Sequence, residues 1–402
     1  MRGRTLRILM TVLVAALAVA LTVMIAGCGD DEPETSESAS GAATGEPIKV
    51  GAIVSTSGTY AGLGQPEQNA LEMEVARIND AGGVGGRPIE VIYEDDATDE
   101  AKAVAAASKL IEQDEVIAII GATGTGQTMA TRGDVQRAGI PQVSMAGGTV
   151  VTDPVDALVF ATPWSNNIVV PFTLAHLKEQ GITKIGLISD SGGFGKDGKA
   201  VLEAEAPDTG VKIVANQTFN PGDTDMTAQL TKIKNSDAEA IVMWTAGSEA
   251  AIIAKNNTAL DTGLPIYGSH GIARQEFIDG AGEAGEGVNF AAGKILLPET
   301  YGEDTEAYAV ARDFTDRYEK AYGEAPSTFA GHAYDALYLI VGAAKNIEGD
   351  LTPEALRDEL EETAGMIGIG GTFNMDDEDH NGLNETDLNM YVIKDGAWQQ
   401  VE

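Results

Sequence analysis

From Ile48 onward the apolar residues fall into two alternating periods. Ile48 to Val54 is a short, nearly continuous apolar run, the pattern of a strand covered on both faces. Gln65 to Ala81 carries Leu71, Val75 and Ile78 at helical spacing and is stopped by Gly82-Gly83. Ile89 to Tyr93 reads as a second strand, Glu100 to Gln113 as a helix with Val104, Ala107 and Ile111 on one face, and Val116 to Ile120 as a third strand. This β-α-β-α-β order predicts a parallel sheet wound with helices on both sides.

The same alternation restarts after Pro163. Helices are expected at Asn167 to Gln180, Phe194 to Ala206, Asp225 to Asn235 and Ser248 to Leu260, with strands at Lys184 to Ser189, Val211 to Thr218, Glu239 to Trp244 and Ile266 to Tyr267. The rest is mostly helical, at Thr305 to Tyr322, Thr328 to Asn346 and Pro353 to Thr363, and ends in short strands at Gly371 to Met375 and Leu388 to Lys394. The fold class is therefore α/β, with two doubly wound parallel-sheet lobes and a cleft between them. Ligands of such sheets bind outside the carboxyl ends of the strands. The loops at 121–128, 144–149, 190–194, 245–249 and 268–271 all fall there.

One stretch organises the first lobe. The run Val116 to Ile120 opens through a Gly/Thr-rich loop, GATGTGQT, onto a helical segment from Gln127 to Arg137; Ile140 to Val143 then leads into a second small-residue loop, SMAGGT. Backbone N–H groups and Thr hydroxyls at a helix start suit an anion, because the first turn leaves donors unpaired and carries partial positive charge. A carboxylate is the expected guest; an ordinary tight connection is the plainer alternative.

Composition narrows the classes. Among 402 residues, 62 acidic against 26 basic residues give a formal net charge of -36, which argues against nucleic acid as a partner. Residues 1–27 read as a signal peptide, with Arg2, Arg4 and Arg7 before an apolar run that ends in Ile25-Ala26-Gly27-Cys28. Small residues before a lone cysteine match a bacterial lipobox, so Cys28 is the expected lipidation site and the membrane a partner through its lipid; an uncleaved membrane anchor is the alternative. Either places the chain on the outer face of the cytoplasmic membrane. Residues 28–46 form an acidic, Ser/Thr-rich linker without core-forming residues. Cys28 is the only cysteine, which removes intramolecular disulfides and cysteine metal clusters. Asp377, Asp379, Asn381 and Gly382 begin a calcium-loop spacing, but Leu388 stands where the closing acid belongs, so a solvated turn is expected. Neither a G-x-S-x-G elbow nor a phosphate-binding G-x-x-x-x-G-K-[ST] loop is present. No enzyme activity, cofactor or metal is expected.

Several segments together resemble the leucine/isoleucine/valine-binding protein family, the type I extracytoplasmic solute-binding proteins of ABC importers. They are KVGAIVSTSGTYAGLG, INDAGGVGGRPIEVIYEDDATD, GATGTGQT, SMAGGT, TDMTAQLTKIKNSDAEAIV and AGHAYDAL, spread from Ile48 to Val392. The resemblance implies three crossovers, near Thr162 to Asn166, Ala291 to Leu297 and Asn374 to Asp379. It places the first lobe at 47–164 plus 294–376 and the second at 165–293 plus 377–402. It also implies a monomer that delivers a small-molecule ligand to permease and ATPase subunits.

Residue by residue, the family's carboxylate-binding position matches Thr125, and its backbone contacts match Ala146, Gly147 and Gly148 or Thr149. Wall positions match Leu63 and Phe194, and Trp244 ends a strand at the cleft as either a ligand-stacking or a core residue. The family's acid for a ligand ammonium falls at His270. An amino acid or a related small hydrophobic carboxylate is expected, with Asp190 and Glu249 left as substitutes for the missing acid. An aromatic carboxylate such as benzoate, or a sensor in place of a transport receptor, is the alternative.

Overall fold

The first sheet is built from five parallel strands in the order β2-β1-β3-β4-β5. In chain order these elements are β1 (Ile48–Val54), α1 (Ala61–Asp80), β2 (Ile89–Asp95), α2 (Glu100–Glu112), β3 (Ala118–Gly121), α3 (Thr125–Ala138), β4 (Gln142–Ser144) and β5 (Val159–Ala161). The computed structural model describes residues 43–401, so the expected signal peptide, Cys28 and most of the linker lie outside the described residues. Among those residues no helix is long and apolar enough to cross a membrane. β1 and β3 are buried along nearly their whole length because helices cover both faces of the sheet. The strand order reverses between β1 and β3, which puts the crevice at the loops that leave these two strands.

The second sheet has seven strands, β14-β13-β10-β9-β8-β6-β7. Its elements run α4 (Asn166–Glu179), β6 (Lys184–Asp190), α5 (Gly193–Thr209), β7 (Lys212–Phe219), α6 (Thr227–Lys234), β8 (Ala240–Trp244), α7 (Glu249–Ala259), β9 (Ile266–Gly268), α8 (Gln275–Ala281) and β10 (Asn289–Gly293). After α9 (Glu306–Tyr322), α10 (Thr328–Asn346), α11 (Pro353–Glu361) and the small ribbon β11 (Ala364–Ile367) and β12 (Thr372–Asn374), the chain adds β13 (Leu388–Lys394) and β14 (Ala397–Gln400). β13 joins β10 antiparallel, and β14 joins β13 antiparallel. The second lobe is thus a mixed sheet, not a wholly parallel one: β14 follows β13 through a two-residue turn at Asp395-Gly396, and so short a link permits only an antiparallel return. β5, β11, β14 and α8 are too short, or too weakly periodic, to stand out in the residue pattern.

The C-terminal helices belong physically to the first lobe. α10 lies along α1, and the carboxylate of Glu74 on α1, fully buried, pairs with Arg317 of α9 and Arg77 and accepts a 2.8 Å hydrogen bond from Tyr338 of α10. Asp335 of α10, also fully buried, accepts the N–H groups of Ile369 at 2.6 Å and Gly370 at 2.7 Å, anchoring the β11–β12 ribbon; burial pushes its carboxyl up to about 8.

The lobes meet in a closed arrangement. Asp197, on α5 of the second lobe, accepts the N–H of Thr149 at 2.7 Å and of Val150 at 3.2 Å across the seam, at the start of the 3-10 turn Thr149–Val151. The same carboxylate accepts Asn166 Nδ2 at 2.7 Å, and Asn166 Oδ1 accepts Trp244 Nε1 at 3.1 Å. Ser248 N–H donates to Thr59 O at 3.2 Å. A Cβ on Gly193 would lie 2.5 Å from the backbone nitrogen of Gly126, so the two helix starts approach as closely as they do only because that side chain is absent.

Two outcomes follow from these contacts. Each hydrogen bond to a charged group contributes about 1.5–3 kcal/mol, so Asp197→Ala should favour the open form; small-angle scattering of the ligand-free variant should give a larger radius of gyration than wild type. Asp335→Ala strands two buried N–H groups and should lower the unfolding free energy by about 1–3 kcal/mol in a denaturant titration.

Candidate functional site

The crevice between the lobes closes over a narrow cavity of about 20 Å³. Its first-lobe wall is made by Tyr60 and Leu63 from the loop and helix after β1, by Thr123, Gly124 and Thr125 after β3, and by Met145, Ala146 and Gly147 after β4. Phe194, Ala246, His270 and Gly271 close it from the second lobe. Every one of these positions lies at a strand's carboxyl end or the helix that follows, as the strand order requires.

Thr125 sits in the first turn of α3. The helix starts two residues before the expected Gln127, because Gly124 in extended conformation serves as its N-cap and leaves the turn without a side-chain cap. The first-turn N–H groups are therefore uncapped by side chain, and Thr125 Oγ1, buried, has no hydrogen-bond partner. Gly148 packs directly on Thr125: a Cβ there would stand 2.7 Å from Oγ1. Together these groups form a set of neutral donors backed by the positive end of a helix, an environment suited to a carboxylate.

The remaining expected site residues separate into two groups. Leu63, Thr125, Ala146, Gly147, Phe194 and His270 line the cavity. Gly148 stands behind Thr125, while Thr149 gives its N–H to Asp197 and its hydroxyl accepts from Asn167 N–H, so in the closed form it works at the lobe seam. Trp244 stands one layer back: its ring stacks on Phe194, with centroids 6.4 Å apart and planes at 21°, and its N–H is held by Asn166. It sets the position of Phe194 from beneath.

His270 meets the first lobe at Gly147. A Cβ on Gly147 would lie 2.4 Å from His270 Nε2, so the ring edge abuts the SMAGGT loop and only glycine admits it. Phe194 and Trp244 meet the ring edge-on at 5.2 and 6.3 Å. Burial pushes the imidazole down to about 3, which keeps it neutral.

Each of the two acids left open as partners for an ammonium group takes a backbone N–H, while Asp190 Oδ2, buried, keeps no partner. Asp190 ends β6 and accepts Gly192 N–H at 2.8 Å; burial, the largest cause, raises its carboxyl to about 6. Glu249 receives the N–H of Gly222. Neither lines the cavity; both act on Tyr60, whose hydroxyl is raised first by burial and then by their charges. Arg274, fully buried, binds the carbonyl oxygens of Gly271 and of Gly247, the latter at 3.1 Å, and so holds the His270 and Glu249 loops together. The Asp379 carboxylate is used inside its own turn, accepting the N–H groups of Asn381 at 2.8 Å and Gly382 at 3.0 Å.

Three contributors escape the sequence reading. His332 and Phe329 of α10 line the cavity from the first lobe, and Asp197 forms the seam. The AGHAYDAL segment holds His332, but its helical period points to Phe329, Ala333 and Ala336 as the core face, and His332 is one residue off that stripe. Asp197 gives no local signal, since its partners are 47 and 48 residues away in the chain.

Comparison with known proteins agrees with this architecture. The model of the family described as periplasmic binding protein matches residues 47–397. A leucine-, isoleucine-, valine-, threonine- and alanine-binding protein of Pseudomonas aeruginosa is 26% identical over 318 residues, 78% of this chain and 82% of that protein. An extracellular ligand-binding receptor from Rhodopseudomonas palustris HaA2 superposes with a TM-score of 0.83 at 27% identity, covering 89% of this chain and 100% of the receptor. The branched-chain amino acid transporter substrate-binding protein LivJ of Streptococcus pneumoniae, solved with isoleucine, gives a TM-score of 0.78 at 30% identity, over 89% of this chain and 99% of that one. With the matched model spanning both lobes and the cleft they enclose, the chain belongs to the periplasmic binding protein family, in its type I leucine/isoleucine/valine-binding group.

Proposed function

We propose that this chain is the extracytoplasmic receptor of an ABC importer, tethered through a lipid on Cys28, and that it captures a small hydrophobic carboxylate without an α-amine. The division into lobes at 47–164 plus 294–376 and 165–293 plus 377–402 is part of the same reading, as is the monomeric state. The carboxylate sits against Thr125 Oγ1, the first turn of α3 and the backbone of Ala146 to Gly148. Leu63, Met145, Phe194 and Phe329 enclose the apolar part and exclude water. The receptor binds its ligand unchanged and hands it to the permease, the closed form presenting both lobes at once.

The observation that carries this reading is the asymmetry of the cavity. Thr125, whose buried hydroxyl has no partner, lines the cavity at the uncapped start of α3, yet no Asp or Glu is among the lining residues. An ammonium group buried there without a counter-charge costs several kcal/mol. The names of the relatives point the other way, to branched-chain amino acids, and a matched pair of ligands decides between the two.

Leucine and 4-methylpentanoate share the same side chain and carboxylate and differ only in the amine. A ligand at about a hundred times its dissociation constant stabilises the fold by roughly 2.7 kcal/mol, a readily measured thermal shift. 4-Methylpentanoate or benzoate should shift the melting point where leucine does not; a leucine shift larger than that of its deaminated twin removes the proposal. Thr125→Val should weaken binding of the acid by about 1–3 kcal/mol, and an unchanged dissociation constant would show that the carboxylate lies elsewhere.

A further inference from the structure

Two imidazoles line the same cavity from opposite lobes. His270 comes from the loop after β9, and His332 from the second turn of α10. Nδ1 of each is buried without a hydrogen-bond partner, and neither ring takes part in a side-chain hydrogen bond. Histidines kept only for packing usually spend at least one ring nitrogen on a neighbour. His380 does so here, with Nδ1 against Val159 O at 3.1 Å and Nε2 against Glu361 at 3.2 Å.

No carboxylate lines the cavity beside the pair; Thr123 of its wall donates to the buried Glu67 behind it. Phe194 and Trp244 meet His270 from α5 and β8, and Gly147 meets it from the loop after β4. Arg274, four residues along, spends its two terminal nitrogens on the Gly271 and Gly247 carbonyls. Trp164 and Phe329 meet His332 edge-on, each at 5.7 Å. Asp335, on the same helix as His332, is committed to the Ile369 and Gly370 N–H groups. Tyr60, from the start of α1, is the other titratable group lining the cavity, and Asp190 and Glu249 act on it. The charge that bears on His332 is that of His270.

A carboxylate entering this cavity meets neutral donors only. Its charge is partly met by the dipole of α3, but a desolvated ion without a full counter-charge is expensive. The least costly correction within reach is a proton on an imidazole, because His270 Nε2 already abuts the loop that would receive the carboxylate. A second proton is disfavoured by the first, so the two rings hold one between them.

We propose that His270 and His332 act as a single proton-binding pair, so that each carboxylate captured in the cleft brings one proton in with it. The inference rests on the carboxylate reading above. Its sign is fixed by linkage: the pair is neutral before binding, both rings being pushed down to about 3 by burial, and protonated after it, so affinity rises as pH falls. Below the pKa of the bound pair the association constant should increase about tenfold per pH unit.

Titration calorimetry of the full-length chain in detergent, with benzoate and 4-methylpentanoate as probes, tests this between pH 5 and 8. Runs in two buffers of different ionisation enthalpy give the number of protons taken up. Uptake that climbs toward about one as pH falls, with a matching gain in affinity, supports the proposal. His332→Gln and His270→Gln, each checked for a melting temperature near wild type, should flatten the pH profile, whereas a purely structural role would lower affinity equally at every pH. If either acid binds with buffer-independent heat and a constant dissociation constant, the proton pair is overturned while the carboxylate reading stands. If neither acid binds and leucine does, both fall together.

Discussion

The closed form depends on one carboxylate placed at one helix start. Asp197 lies in the second lobe, yet two of its partners are main-chain N–H groups of the first, and a third is Asn166, just past the first crossover. These bonds do more than close the seam. Asn166 in turn holds the Trp244 indole, Trp244 lies under Phe194, and Phe194 forms a wall of the cavity. Asp197 thus joins the seam to the aromatic wall through a short run of directional contacts.

The first and second lobes treat charge differently around the same cavity. Acids are plentiful in this chain, and two near the cleft take backbone N–H groups, Asp190 from Gly192 of its own loop and Glu249 from Gly222 after β7, with Arg274 tying the adjoining loops. What faces the ligand is neutral. In the proposed reading the cavity selects through oriented dipoles and shape, with His270, His332 and Tyr60 as its titratable lining groups. The chain carries a formal net charge of -36, yet no acid is among the residues that line the cavity.

Most of the architecture was legible because strand runs and helix stripes are long in this chain, and because Gly-rich loops mark the strand ends. Thr125, Gly147 and His270 came from the family resemblance, within stretches that the residue pattern marks as strand ends, and all three line the cavity. The parts that were not legible are those defined by distant partners. Asp197 looks like an ordinary polar residue at the start of a helix until Thr149 is brought to it. His332 is hidden inside a helix that is buried on nearly every face, where periodicity loses its meaning. Trp244 was readable as wall or core, and only packing shows it lying under the wall. The antiparallel pairing of β14 follows from a two-residue turn, and that of β13 from a partner, β10, far back in the chain.

One feature of the hinge bears on how the lobes move. Asn381 donates through its side-chain amide to Ala161 O at 3.1 Å and Pro163 O at 2.8 Å, and the His380 ring stacks on Phe160 with centroids 4.1 Å apart. The first and third passages of the chain between the lobes are therefore clasped into one mechanical piece.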